Sequence, residues 1–129
     1  MGDPGMTSTA AALYKFYSGF GLPAYEVNTV PDDVTLPYIS YSYVEPEWET
    51  PASHYAQVYM RTTSNNELLE KAGEIVRSIG LSKRLPCEGG CVMLHPSSPL
   101  VQILISESSP DIRCAYISLQ LDALHAPGI

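Results

Sequence analysis

Ser64-Asn65-Asn66-Glu67-Leu68-Leu69-Glu70-Lys71-Ala72-Gly73-Glu74-Ile75-Val76-Arg77-Ser78-Ile79-Gly80 is a helix with both of its ends written in. Ser64 and Glu67 have the spacing of a capping box, in which the hydroxyl accepts from an amide of the first turn and the carboxylate reaches back to the Ser64 amide. Leu68, Leu69, Ala72, Ile75, Val76 and Ile79 recur at helical spacing and make one apolar stripe, while Glu70, Lys71, Glu74 and Arg77 face outward. Gly80 supplies the left-handed conformation that closes a helix. A single apolar stripe must be buried against another element, so the flanking segments decide the fold class.

On the N-terminal side the chain alternates with a period of two. Ser53 to Thr62 sets His54, Ala56, Val58 and Met60 against Tyr55, Gln57, Tyr59 and Arg61, the pattern of a sheet with one covered face and one amphipathic face. Leu36 to Val44 alternates Tyr and Ile with Ser, which predicts a strand with one wetter face, joined to the first in a long hairpin. Tyr25, Val27 and Val30 form a short alternating piece before the turn-rich Pro31-Asp32-Asp33. From Thr7 to about Gly21, residues Ala10, Ala11, Leu13, Tyr14, Phe16, Tyr17 and Phe20 recur at helical spacing, and Gly21 with Pro23 is a stop signal.

On the C-terminal side, Leu85 to His95 reads as two extended pieces folded about Glu88-Gly89-Gly90, and Pro96 to Pro99 as a turn. Leu100 to Ile105 and Ile112 to Leu121 are strands separated by Ser108-Ser109-Pro110-Asp111. The order helix, strands, helix, strands holds no βαβ repeat. It predicts a single α+β domain over residues 1–129, a mostly antiparallel sheet with two helices packed on one face, and loose ends at about 1–6 and 123–129.

Composition removes several classes of function. At 129 residues the chain buries roughly two thirds of the surface it exposes when unfolded, enough for one core without staples. No apolar run nears the roughly 20 residues that span a bilayer, and the start Met1-Gly2-Asp3-Pro4-Gly5 lacks a basic leader, so synthesis for the cytoplasm is expected. The net charge of −7, with basic residues scattered apart from Lys83-Arg84, argues against direct binding to nucleic acid, which needs clustered positive charge. Three cysteines, an odd number, predict free thiols.

The sharpest chemical candidate is Cys87, Cys91, His95 and Cys114, since three thiolates and an imidazole would complete a tetrahedral zinc site. Against it, a strand shows successive residues on opposite faces and Cys114 lies in a different strand, so small buried thiols are the preferred reading. A Cys/His nucleophile pair drawn from these cysteines with His54, His95 or His125 has no local signature. Glu45, Glu47 and Glu49, with Asp32 and Asp33, lack the spacing of a calcium loop and read as a solvated acidic loop. Trp48 in that loop is an exposed aromatic among charges, the composition of an interface anchor. Nine tyrosines, several in strands, suit a sheet face shared with a neighbour. No phosphate loop, nucleophile elbow or H-E-x-x-H motif is present, and neither catalysis nor a cofactor is expected.

Several stretches together resemble the tail-terminator and tail-completion proteins of long-tailed phages and prophages, also known as minor capsid or tail-component proteins. They are Leu36-Pro37-Tyr38-Ile39-Ser40-Tyr41, Tyr59-Met60-Arg61-Thr62-Thr63-Ser64 leading into the capped helix, Glu88-Gly89-Gly90-Cys91-Val92-Met93-Leu94, Ser98-Pro99-Leu100-Val101-Gln102, and Ile112-Arg113-Cys114-Ala115-Tyr116-Ile117-Ser118-Leu119. The resemblance implies a small α/β subunit of a homo-oligomeric ring, usually sixfold, that caps the head-proximal end of the tail tube. Its partners would be the tube protein and neck or connector proteins, and its place the host cytoplasm and then the virion. Glu45, Glu47, Trp48, Glu49 and the sheet edges would face adjacent subunits, the tube below or the neck above. No catalytic residue is carried over. A small zinc module is the alternative from the residues, and a head-tail joining protein or tail assembly chaperone the alternative within phages.

Overall fold

In the computed structural model of the protein, which describes residues 8–47 and 50–125, two helices pack on one six-stranded sheet. The elements run α1 (Thr9–Tyr17), β1 (Ala24–Glu26), β2 (Tyr38–Tyr41), β3 (Ala52–Arg61), α2 (Asn65–Ile79), β4 (Lys83–Cys87), β5 (Gly90–Ile105) and β6 (Ile112–His125). Strand order is β1-β2-β3-β6-β5-β4; β1 and β2 are parallel and every other pair is antiparallel. The long pairing of β3 with β6 fuses the two expected strand groups into one sheet.

Helix α2 forms where its pattern predicts it, with local differences. Ser64 Oγ accepts from the Asn66 amide at 3.2 Å, but the Ser64 amide donates to Thr62 Oγ1 at 3.0 Å. Thr62, two residues back, takes the role expected of Glu67. Gly80 has positive φ as expected, at 60°, but its ψ of −138° is not left-handed helical, and its amide donates to Val76 O. Leu68, Ala72, Ile75 and Ile79 are buried, whereas Leu69 lies off the stripe and is 44% exposed. Helix α1 is capped by Ser8, whose Oγ accepts from the Ala11 amide at 3.1 Å, and buries Ala12, Leu13 and Tyr17.

Those helix residues share one core with Ile39, Tyr41, Ala56, Val58, Leu85, Val92, Leu94, Ala115, Ile117 and Leu121. Register explains the sharing: Ile39 faces Val58, Val58 faces Ala115 and Ala56 faces Ile117, so these residues point to the same side of the sheet. Both helices therefore lie on one face, as the alternation of β3 predicts.

Several boundaries move. Val27–Thr29 is a short 3-10 turn, and β2 covers only Tyr38–Tyr41 of the longer run. The two serines expected on the wetter face are themselves covered, Ser40 and Ser42 being 1% and 8% exposed. Ser40 Oγ donates to Gln57 Oε1 at 3.2 Å, which lets the hydroxyl be buried without an unmet bond. The expected turn at Pro96–Pro99 lies within β5, where the register against β6 shifts between Pro96 and Val101. Four residues, Ser97 to Leu100, bulge there opposite Ser118 alone, so Pro99, which cannot donate to a ladder, sits outside the paired register. Ala123 to His125, expected to be loose, continue β6 and pair with Val92 to Gly90. The remaining expected loose residues, 1–6 and 126–129, lie outside the described residues.

Candidate functional site

The two faces of the sheet differ in kind. The face away from the helices carries Tyr25, Tyr38, Tyr55, Tyr59 and Tyr116, each only partly buried. Register sets them side by side. One row across the strands reads Tyr38, Tyr59, Cys114, Leu104, and the next Tyr25, Ser40, Gln57, Tyr116, Gln102. Neither row contains a charge. Tyr38 stacks on Tyr59 at 5.0 Å between ring centroids, Tyr55 on Tyr116 at 5.0 Å, and Tyr25 meets Tyr38 edge-on at 6.0 Å. Burial, and then Cys114, push the Tyr59 phenol up to about 12, so its hydroxyl is a neutral donor at any ordinary pH. A hollow of about 150 Å³ opens on this face between Tyr59, Leu104 and Ile112.

At the far end of the β2–β3 hairpin lies the acidic loop. The Thr50 amide donates to Glu47 O at 3.0 Å, closing a tight turn, and Tyr43 Oη donates to Glu45 Oε1 at 2.6 Å. That bond, then burial, pushes the Tyr43 phenol up to about 12. Glu45 and Glu47 are exposed; Trp48 and Glu49, the other two interface candidates, lie outside the described residues. Asp32 and Asp33 are exposed in a separate turn.

The zinc candidates do not converge. Cys87, half-buried on β4, lines a cavity with Thr9 of α1. Cys91 and His95 are four residues apart along β5, which at strand rise is about 13 Å. His95 pairs in register with Gln120, and Cys114 lies six residues further along β6, about 20 Å away. His95 Nε2 is 2.9 Å from Asp122 Oδ2, so the ring already has a partner. Among the described residues no three His, Cys, Asp or Glu side chains gather as a metal site would require. All three cysteines are free, and burial pushes the Cys114 thiol up to about 11.

Sequence reasoning missed one polar constellation. His54, 2% exposed, has Nε2 at 2.8 Å from Tyr17 Oη and Nδ1 at 3.0 Å from Ser42 Oγ, and Ser42 Oγ also accepts from the Tyr55 amide at 3.1 Å. Desolvation lowers the His54 pKa from 6.5 to about 4, so the ring is neutral and bridges α1, β2 and β3. The signal for it was present: a histidine on the covered face of an alternating strand needs partners. A serine beside a histidine resembles a nucleophile and its base, yet both are buried and neither lines any of the described cavities. The arrangement satisfies a buried ring and ties three elements together.

What the site can do is therefore contact: a tyrosine-lined patch of the sheet whose two central rows hold no charge, and an acidic turn. No family model matches the sequence, and no curated protein matches it at a significant level.

Proposed function

We propose that the protein acts by assembly rather than by chemistry, as a tail-terminator or tail-completion subunit that forms a ring at the head-proximal end of a phage tail tube. The observation that carries this reading is the open sheet face, where five tyrosines and neutral polar residues occupy the centre without a charge. Interface cores are enriched in tyrosine and depleted of charge, whereas a solvated sheet face of this size is ordinarily interrupted by Lys and Glu. Burying such a face gains apolar contact while the phenol hydroxyls keep hydrogen-bond partners, which suits a surface exposed before assembly and covered after it. A ring uses heterologous contacts, so each subunit presents two different surfaces, and the acidic turn at Glu45 and Glu47 is distinct in charge from the tyrosine face. Work would then take place in the host cytoplasm and, afterwards, at the tail or neck of the virion, with the tube protein and neck proteins as partners.

Native mass spectrometry over a range of protein concentrations, with and without purified tail tubes, tests this. A closed oligomer, a hexamer above all, is the expected result, either alone or on the tubes. A protein that stays monomeric and leaves tubes uncapped at every concentration overturns the reading.

A further inference from the structure

Although the protein carries a net charge of −7, one groove on it is basic. It has a volume of about 480 Å³ and runs between α1 and the edge strand β4. Lys15, Lys83 and Arg84 line it, three of the seven basic residues in the chain, and among the described residues no carboxylate does. Among the described residues none of the three makes an ion pair, whereas Arg61 and Lys71 do. Lys71 borders the same region, its Nζ donating to Phe20 O at 2.9 Å, but Glu74 at 2.9 Å offsets its charge. Its apolar lining includes Phe16 and Phe20, which meet edge-on at 5.3 Å and are only partly buried.

The groove thus pairs an aromatic floor with unbalanced positive charge, and its complement is an acidic segment with an aromatic anchor. Glu45-Pro46-Glu47-Trp48-Glu49 of this same chain has that composition. The base of its turn is held by the Thr50 amide donating to Glu47 O at 3.0 Å. Strand addition is disfavoured as the mode of contact, because Pro86 on the β4 edge has no amide to donate. Side-chain docking remains. The loop does not fill its own groove: Glu45 and Pro46 line a separate cavity of about 220 Å³ with Ser8, Thr9 and Cys87, at the other end of α1 and β4.

We infer that the Lys15/Lys83/Arg84 groove receives the Glu45–Glu49 loop of a second copy of the chain, an inference that rests on the assembly reading and names its contact. Trp48 would lie on Phe16 and Phe20, with the flanking carboxylates on the three cations.

Two measurements test it. A fluorescein-labelled peptide of residues 43–53 is titrated with the full-length protein and followed by anisotropy; saturable binding is expected, at least tenfold weaker for Lys83→Glu/Arg84→Glu and for a peptide with its three Glu changed to Gln. Equal binding by the charge-reversed protein overturns the inference, as does equal binding by a scrambled acidic peptide, which would make the groove a general acceptor of acidic segments. In the second, Lys83→Glu/Arg84→Glu and Glu45→Lys/Glu47→Lys/Glu49→Lys are each expected to lose self-association, and their mixture to regain it. Assembly unchanged by the reversals overturns the groove contact and leaves the ring standing. A wild type that stays monomeric both alone and with tail tubes, yet still binds the peptide, keeps the groove and removes the ring.

Discussion

Strand β3 is a comparison in one element, because its alternate residues serve two surfaces with different tasks. His54, Ala56, Val58 and Met60 are 2%, 0%, 0% and 7% exposed beneath the helices, while Tyr55, Gln57 and Tyr59 between them stay partly open. The covered face is mostly aliphatic and gains its energy once, on folding. The open face is aromatic and hydroxylic, and part of its apolar area is still in water after folding. Stability and contact are therefore separable by substituting neighbours in the same strands.

The largest expected effect comes from the covered face. Ile117 is fully buried, and Ile117→Ala removes apolar volume that the close-packed layer cannot refill, for a loss of about 3 kcal/mol in urea unfolding. A loss under about 1 kcal/mol would mean that the covered face is no more tightly packed than the open one.

A comparable effect is set by pH through His54. Its native pKa is lowered from 6.5 to about 4 by desolvation, so below pH 6.5 the unfolded chain binds a proton that the native ring refuses. The resulting stability is present above pH 6.5 and is lost as pH falls toward about 4, up to about 3 kcal/mol at 1.36 kcal/mol per unit. Melting curves across that window should decline for the wild type and flatten for His54→Gln. Parallel slopes in the two proteins would show that His54 does not govern the window and that carboxylates do.

The open face should respond least in stability and most in assembly. Tyr55→Ser with Tyr116→Ser breaks a stacked pair whose rings are 5.0 Å apart, at a cost to the fold of about 1 kcal/mol. The same variant is expected to stay monomeric in native mass spectrometry where the wild type assembles. A variant that unfolds, or that assembles as before, would erase the distinction between the two faces.

Much of the covered face was legible in the sequence. Alternation in Ser53–Thr62 and the stripe of α2 each name their buried side, because side-chain direction follows a local period of two or 3.6 residues. The open face was half legible: the tyrosines were visible, but which of the nine lie together depends on pairing β3 with β6, residues about 60 apart in the chain. Ser40 and Ser42 were misread because alternation reports direction, whereas burial of a hydroxyl depends on the partner that pairing brings, here Gln57 and His54. The zinc candidate failed for the related reason that short spacing in sequence becomes long spacing along an extended strand.

The class of the molecule, its two helices, most of its strands, its charge and its lack of catalytic motifs are written in the sequence, since each depends on composition or on neighbours within a few residues. Pairing and packing gather five tyrosines into one patch with no charge among its central rows, bring Lys15 to the groove of Lys83 and Arg84, and hold His54 between Tyr17 and Ser42. Those groupings arise from strand register and from the packing of α1 against the sheet, and the residues that meet there carry no mark of it in their own segments.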